Sequence, residues 1–305
     1  MSSPPLVGVC ILTYNSEGVV AACIESVKEA LKCVHHEIVV VDNHSSDNSV
    51  TIAEQQYGGP TVKIISSPIN TGYSRGNNIG ARYLLERGCK YLAFVNPDVT
   101  VRADTLARMQ DALTDNQDAG CVGGIAIISG RPSKGCFRTK PTFTEKFWLY
   151  SSARYFPVLH SWLSGITESL ENRHLLPISS SVQPVYAVSG ACIMFPADIF
   201  AEIGGFDEST FLFQEEFIIS ERLLRAGRKV YACPDAIYDH LLGHSVGVHP
   251  LRSYWFLIKS EQHLTRTYYK WSVPKRALMT AIRYADLAIG GAIADVRRLW
   301  RGQRG

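Results

Sequence analysis

Along the first hundred residues, apolar runs and helical patterns alternate as a repeating unit. "LVGVCILTYN" is a β-branched apolar run ending in a polar turn, as expected of a strand buried on both faces. From Glu17 to Lys32, Val20, Ile24, Val27 and Leu31 recur at helical spacing. "HEIVVVDNHSSDNS" gives a second strand over Glu37 to Val41, then a polar loop and a helix for which Ser45 or Ser46 is the expected cap. "TVKIISS" is a third strand, "SRGNNIGARYLLERG" a helix closed by Gly88, and "KYLAFV" a fourth strand. Strand and helix alternate at spacings of about 25 to 35 residues, which predicts a mostly parallel α/β sheet with right-handed crossovers.

After Asp98 the pattern loosens. Ala103 to Leu113 has helical spacing, and "AGCVGGIAIIS" reads as a strand. Residues 131 to 183 are aromatic and irregular, consistent with an insertion or an acceptor-facing lid. "VYAVSGACIMFP" reads as one further strand with little side-chain bulk at Ser189-Gly190-Ala191. "FLFQEEFIISERLLRAG" is a helix ending at Gly227, and "RKVYACPDAIYDH" supplies a further strand or two. There is no internal repeat.

In open α/β sheets, ligands bind at the carboxyl ends of the strands. Four polar segments fall there: Thr13-Tyr14-Asn15, Asp42-Asn43, residues 68 to 76, and Asn96-Pro97-Asp98. Each has an ordinary alternative reading. Asp42-Asn43 is either an Asx turn or an acceptor for nucleobase and ribose donors. Gly72, Gly76 and Gly80 surround a helix start whose N–H groups can meet phosphate, with Arg75 as counter-charge, but their spacing matches no P-loop or dinucleotide fingerprint. Asp98 is either turn chemistry or a ligand for a hard cation bridging diphosphate oxygens, with Asn96 beside it. Glu215 and Glu216, between Phe213 and Phe217, cannot both face solvent equally on a helix. An acid held against apolar walls has a raised pKa and can act as a general base. His240 and His244 follow the last strand, where imidazole can bind metal.

Charge changes the picture at one end. The chain carries +3 overall, but Leu251 to Gly305 holds eleven Lys/Arg against three Asp/Glu. The preceding 250 residues hold 20 basic against 25 acidic residues. A basic tail on a mildly acidic body predicts an anionic contact. "RALMTAIRYADLAIGGAIADVRRLWRG" sets Leu278, Ile282, Leu287, Ile289, Ile293 and Leu299 among Arg283, Arg297, Arg298 and Arg301, as in an interfacial helix; packing on the catalytic body or on a homodimer partner is the alternative. No run is long and apolar enough to span a bilayer. Eight scattered cysteines and the absence of an amino-terminal secretory pattern predict reduced thiols and a cytoplasmic setting.

Taken together, "ILTYN", "VVVDNHSSDNS", "PINTGYSRGNNIG", "FVNPDV", "SGACIMFP", "GGFDESTFLFQEEFIISERLLRAG" and "HLLGHS" resemble the family 2 glycosyltransferases, and within them the rhamnosyltransferase-like branch. The resemblance runs from about Leu6 to Ser245. It implies a GT-A fold, a Rossmann-like mostly parallel central sheet flanked by helices. It implies a glycosyltransferase domain over 1–250, with a nucleotide-binding half (1–100) and an acceptor-binding half (101–250). Residues 251–305 would then form a helical carboxyl-terminal extension. The implied reaction is inverting transfer of a sugar, rhamnose from dTDP-rhamnose first, to a glycan or lipid-linked acceptor in cell-surface polysaccharide synthesis. Thr13, Tyr14, Asn15, Asp42, Asn43, Asn70, Gly72, Arg75 and Asn96 would bind the nucleotide-sugar, and Gly190 and Ala191 the acceptor. Asp98 and His240 would hold a divalent metal, Mg2+ or Mn2+. The family's Asp-x-Asp motif is here Asn96-x-Asp98. The base falls on Glu216, with Glu215 as the alternative.

With a lipid-linked acceptor, the expected location is peripheral on the inner face of the cell membrane. The competing readings are a nucleotidyltransferase and a non-catalytic nucleotide-sugar binding module. Nucleic-acid binding is not expected, because the basic residues avoid the sheet edge.

Overall fold

The computed structural model describes residues 7–59, 62–149, 181–241 and 250–302. Most of the segment expected to form a lid, and His244, lie outside the described residues. So do the side chains of Ile293, Arg297, Arg298, Leu299 and Arg301.

The amino-terminal half is the expected α/β unit. Strands β1 (Val7–Thr13), β2 (His36–Asp42), β3 (Val62–Ser66) and β4 (Tyr91–Val95) alternate with helices α1 (Val20–Ala30), α2 (Ser49–Tyr57) and α3 (Gly72–Glu86). They stand in the order β3-β2-β1-β4, all parallel, which brings every one of their carboxyl ends to one edge. Helix α3 lies close on β1 because Gly76 and Gly80 have no side chain. A Cβ at Gly76 would come 2.5 Å from the Leu12 side chain, and one at Gly80 would collide with Cys10 Sγ. These two glycines therefore serve helix–sheet packing.

The second half extends the same sheet. β5 (Val99–Val101), α4 (Thr105–Asp115) and β6 (Ala119–Ile128) come next. They are followed by the short strands β7 (Arg131–Pro132) and β8 (Phe137–Arg138) and by α5 (Phe143–Leu149). After residue 180 come β9 (Gln183–Val185), β10 (Ala187–Val188), β11 (Cys192–Pro196) and β12 (Lys229–His240). The main path is β3-β2-β1-β4-β11-β6-β12-β5. β11 runs antiparallel to both β4 and β6, while β12 runs parallel to β6. The core is continuous across both halves, from Ile24 and Val40 to Phe94, Phe195 and Tyr238.

Three expectations need correcting. The second helix starts at Ser49, and neither Ser45 nor Ser46 caps it. Both serines are drawn off by the first turn: Ser45 Oγ accepts from the Asn15 N–H at 3.0 Å, and the Ser46 N–H donates to Asn15 Oδ1 at 2.8 Å. "VYAVSGACIMFP" is not one strand; it breaks at Ser189-Gly190-Ala191, and the pieces before and after join different partners. Arg283, assigned by pattern to a lipid-facing surface, is 1% exposed.

That last correction follows from how the carboxyl-terminal helices pack. Pro250–His263 and Val273–Gly302 lie against each other, joined by a π-helical turn over Leu264–Tyr268. Arg283 Nε donates to Glu261 Oε2 at 2.8 Å, and its Nη2 donates to the Lys146 carbonyl at 2.7 Å. The second helix thus turns charged Arg283 and Asp286 inward and leaves Val273, Leu278 and Tyr284 outward at 66%, 49% and 38% exposure.

Candidate functional site at the sheet edge

The carboxyl edge of β1 and β2 forms a single hydrogen-bonded platform. Thr13 and Asp42 stand side by side in the parallel register. The Asn43 N–H donates to the Thr13 carbonyl at 2.8 Å. Asn15 holds the loop after β2 through Ser45 and Ser46, and half-buried Tyr14 lies between Thr13 and Asn15 in the chain. Asn43 reaches the other way: its Nδ2 donates to Asn70 Oδ1 at 3.1 Å and to the Gly72 carbonyl at 3.2 Å, while its Oδ1 accepts from the Thr71 N–H at 2.9 Å. Three turns separated in sequence are therefore locked to one another. Within the platform Thr13 Oγ1 and Asp42 Oδ1 are buried without a hydrogen-bond partner. Buried polar atoms are almost always satisfied, so these two stand out.

Asp98 is placed by the turn from β4 to β5. The Val99 N–H donates to the Asn96 carbonyl at 3.1 Å, closing Asn96-Pro97-Asp98. β5 then pairs antiparallel with the end of β12, Val99 opposite His240. That register sets His240 Nε2 3.3 Å from Asp98 Oδ1, a buried carboxylate oxygen without a hydrogen bond. A hard oxygen and an imidazole nitrogen converging on one point fit a divalent cation that takes its remaining ligands from diphosphate and water. Among the described residues no group of three or more His, Cys, Asp or Glu side chains converges.

The acids of the second half join this edge through one backbone hydrogen bond and one close approach of a side chain to a glycine. The Asn96 N–H donates to the Ala191 carbonyl at 2.8 Å, so the break before β11 lies beside the Asp98 turn. Next to it, a Cβ on Gly190 would come 3.4 Å from Glu216 Cγ and 3.7 Å from Glu216 Oε1. Glycine thus keeps the approach to that carboxylate open. Glu215 and Glu216 begin the helix Glu215–Arg225. Burial, and then the charge of Glu216, hold the Glu215 carboxyl well above the ordinary carboxylate range, and its Oε2 has no partner. The expectation that one of the two acids would be raised by apolar walls therefore falls on Glu215.

Arg75 stands apart from this cluster. Its Nε donates to Glu208 Oε2 at 3.1 Å, and it lines a cleft of about 680 Å³ with Asn78, Arg82 and Arg222, none of which belongs to the strand-end turns. Pattern reading also missed Tyr73. Its hydroxyl donates to the Gly190 carbonyl at 2.8 Å, and burial first, then Glu215 and Glu216, push its pKa well up, so it stays a donor. An aromatic residue inside "NTGYSRG" carried no signal of that contact, because its partner is 117 residues away.

A family model described as Glycosyl transferase family 2 matches residues 8–163. N-acetylglucosaminyl-diphospho-decaprenol L-rhamnosyltransferase of Mycobacterium tuberculosis is 27% identical over 232 residues, covering 70% of this chain and 69% of that protein. The dTDP-rhamnosyl transferase RfbF of Shigella flexneri is 25% identical over 272 residues, covering 83% and 80%. Among solved structures, S. aureus TarS 1–349 in complex with UDP-GlcNAc superposes with a TM-score of 0.54 at 14% identity, covering 92% of this chain and 72% of that one. GalNAc-T7 with UDP, GalNAc and Mn2+ gives a TM-score of 0.58 at 16% identity over 84% of this chain, which spans 48% of the GalNAc-T7 chain. At these identities the structural likeness establishes the fold.

Proposed function

Because this chain belongs to glycosyl transferase family 2 and carries the GT-A fold, we propose that it transfers a sugar with inversion from a nucleoside diphosphate sugar to an acceptor hydroxyl. The observation that supports this reading is the proximity of Glu216 to Gly190, together with the hydrogen bond from the Asn96 N–H to the neighbouring Ala191 carbonyl, which bring the proposed base and the Asp98 turn to the same segment.

Glu216 takes the proton from the acceptor hydroxyl as its oxygen attacks the anomeric carbon. The bond from that carbon to the diphosphate oxygen breaks, and its electron pair leaves with the nucleoside diphosphate. Thr13, Asp42, Asn15 and the bonded pair Asn43–Asn70 hold the nucleoside, with Asp42 Oδ1 accepting from base or ribose. Asp98 and His240 would hold Mg2+ or Mn2+, which when bound supplies neutralisation of diphosphate charge. Gly190 leaves room for the acceptor, and the Tyr73 hydroxyl holds the Gly190 carbonyl back from it. Rhamnose from dTDP-rhamnose is the first donor, supported by the names of two relatives, with UDP-hexose and UDP-N-acetylhexosamine behind it.

We further propose a lipid-linked or glycan acceptor used at a membrane surface. Among residues 250 to 289 the acids are Glu261 and Asp286, and both are buried. Arg252, Lys259, Arg266, Lys270 and Lys275 are exposed around the outward apolar face of Val273, Leu278 and Tyr284, beside exposed Trp255. Apolar anchors ringed by like positive charge suit an anionic interface. Among the described residues no helix is long and apolar enough to cross a membrane.

A nucleotide-sugar panel with metal and chelator arms tests the reaction. The expected result is dTDP release from dTDP-rhamnose with Mg2+ or Mn2+, lost in chelator and abolished by Glu216→Gln. Pyrophosphate release would refute glycosyl transfer, and full activity in chelator would remove the cation from the account.

A further inference from the structure

The helix bearing Glu215 and Glu216 starts from an unusual backbone. Phe213 and Gln214 have φ of 71° and 67°, the left-handed region that residues with a Cβ seldom occupy. Two such residues in succession persist only where the surroundings over-determine them. Here the surroundings are helix α5 and the carboxyl-terminal helices packed on it. Lys146 Nζ donates to Gln214 Oε1 at 2.9 Å and to Glu261 Oε1 at 3.2 Å, and Arg283 donates to the other oxygen of Glu261. Lys146, Glu261 and Arg283 are each no more than 3% exposed. The same helix, Pro250–His263, grips the preceding loop at two further points. Ser260 Oγ donates to the Leu212 carbonyl at 2.8 Å, and Phe256 stacks on Phe211 at 4.2 Å.

We propose that Lys146, fixed by Glu261 and Arg283, is a positioning residue for Glu216: its bond to Gln214 holds the left-handed turn that aims the base at Gly190. The proposal rests on the reading of Glu216 as the base. It also gives the carboxyl-terminal extension a role inside the active site, acting through Gln214 on a carboxylate it does not touch. Burial of three charges costs desolvation that a purely adhesive interface would avoid with apolar side chains. A rigid, directional hook for one amide oxygen is what that arrangement provides and an apolar contact would not.

The test is steady-state kinetics of full-length protein, with circular dichroism as a check of folding. Gln214→Leu removes the acceptor and leaves the Lys146–Glu261–Arg283 cluster in place. The expected result is a fall in kcat of about 10- to 100-fold with donor KM within about twofold, the effect of a misaimed group in an otherwise intact site. Gln214→Glu keeps an oxygen for Lys146 and retains kcat within about threefold. If the leucine variant does not fold, Gln214→Gly, whose backbone accepts that φ, supplies a folded protein without the hook. A kcat for the hookless variant within about twofold of wild type, alongside an inactive Glu216→Gln, overturns the positioning role and leaves the base intact. An active Glu216→Gln overturns both.

Discussion

The Tyr73 hydroxyl donates to the Gly190 carbonyl at 2.8 Å, joining the first turn of the donor-side helix to the segment that faces Glu216. One hydrogen bond therefore spans the two halves of the site. A Cβ on Gly190 would stand 3.3 Å from that hydroxyl, a tight approach, and 3.4 Å from Glu216 Cγ, in van der Waals contact with it. Gly190→Ala is expected to lower kcat/KM for the acceptor about tenfold, with donor KM little changed, because the methyl group crowds the Tyr73 hydroxyl and covers the proposed base where the acceptor would approach it. Kinetics with the acceptor varied at saturating donor checks this, and an unchanged acceptor kcat/KM would dissociate Gly190 from acceptor entry.

Glu215 makes stability depend on pH in a definite direction. Its folded pKa is raised, so the native state holds a proton that the unfolded chain releases first. The stabilisation is present below the unfolded carboxylate value and declines as pH rises through the window up to the folded pKa. Glu215→Gln is expected to raise Tm by a few degrees at pH 8 relative to wild type and by less at pH 5. Thermal melts at the two pH values, without donor, decide it; an equal shift at both would mean that the Glu215 proton is not linked to folding.

Asp207 works in the opposite sense. Burial would raise its carboxyl, but hydrogen bonds from Tyr268 and Ser209 and the contact with His263 outweigh burial and hold it well below the usual range. Its contribution is fully present above the unfolded value and is lost as pH falls through the folded pKa. Asp207→Asn should therefore lower Tm at pH 7 by several degrees and narrow its deficit toward wild type as the medium is acidified below about pH 4, where unfolded aspartate protonates. Melts across pH 3 to 7 are the measurement; a deficit constant across that range would contradict the linkage.

The outward face of the last helix should bind anionic lipid. Flotation with phosphatidylglycerol vesicles is expected to carry the full chain upward and phosphatidylcholine vesicles to leave it behind. Leu278→Glu combined with Tyr284→Glu should abolish flotation, and added salt should weaken it. Substitutions are the right tool, because deleting residues after 250 would also remove Ser260, Glu261 and Arg283 from the base-bearing loop. Flotation unaffected by both glutamates would reject this face, and self-association lost with them would assign it to a second copy of the chain.

Periodicity alone located β1 to β4 and the helices between them, because runs such as "EIVVV" and the spacing of Val20, Ile24 and Val27 are local and dictate which faces are buried. It also placed Thr13, Asp42 and Asp98 at one edge, since a parallel sheet aligns all its carboxyl ends. Where a turn depended on a distant partner, local pattern failed. Ser45 and Ser46 have the chemistry of caps yet serve Asn15, and "VYAVSGACIMFP" reads as one strand yet breaks where Gly190 meets Tyr73 and Ala191 meets Asn96.

What the sequence by itself determined is thus the amino-terminal α/β half, its strand-end turns, and the acidic pair. The resemblance paired His240 with Asp98, and the tertiary structure supplied the means, the pairing of Val99 with His240; only the tertiary structure decided that Arg283 is a buried partner of Glu261, not a surface charge. A basic residue at helical spacing looks the same whether it faces water, lipid or a buried carboxylate. The difference is made by Glu261, 22 residues earlier, and Lys146, 137 residues earlier, and only long-range packing brings them within hydrogen-bond reach.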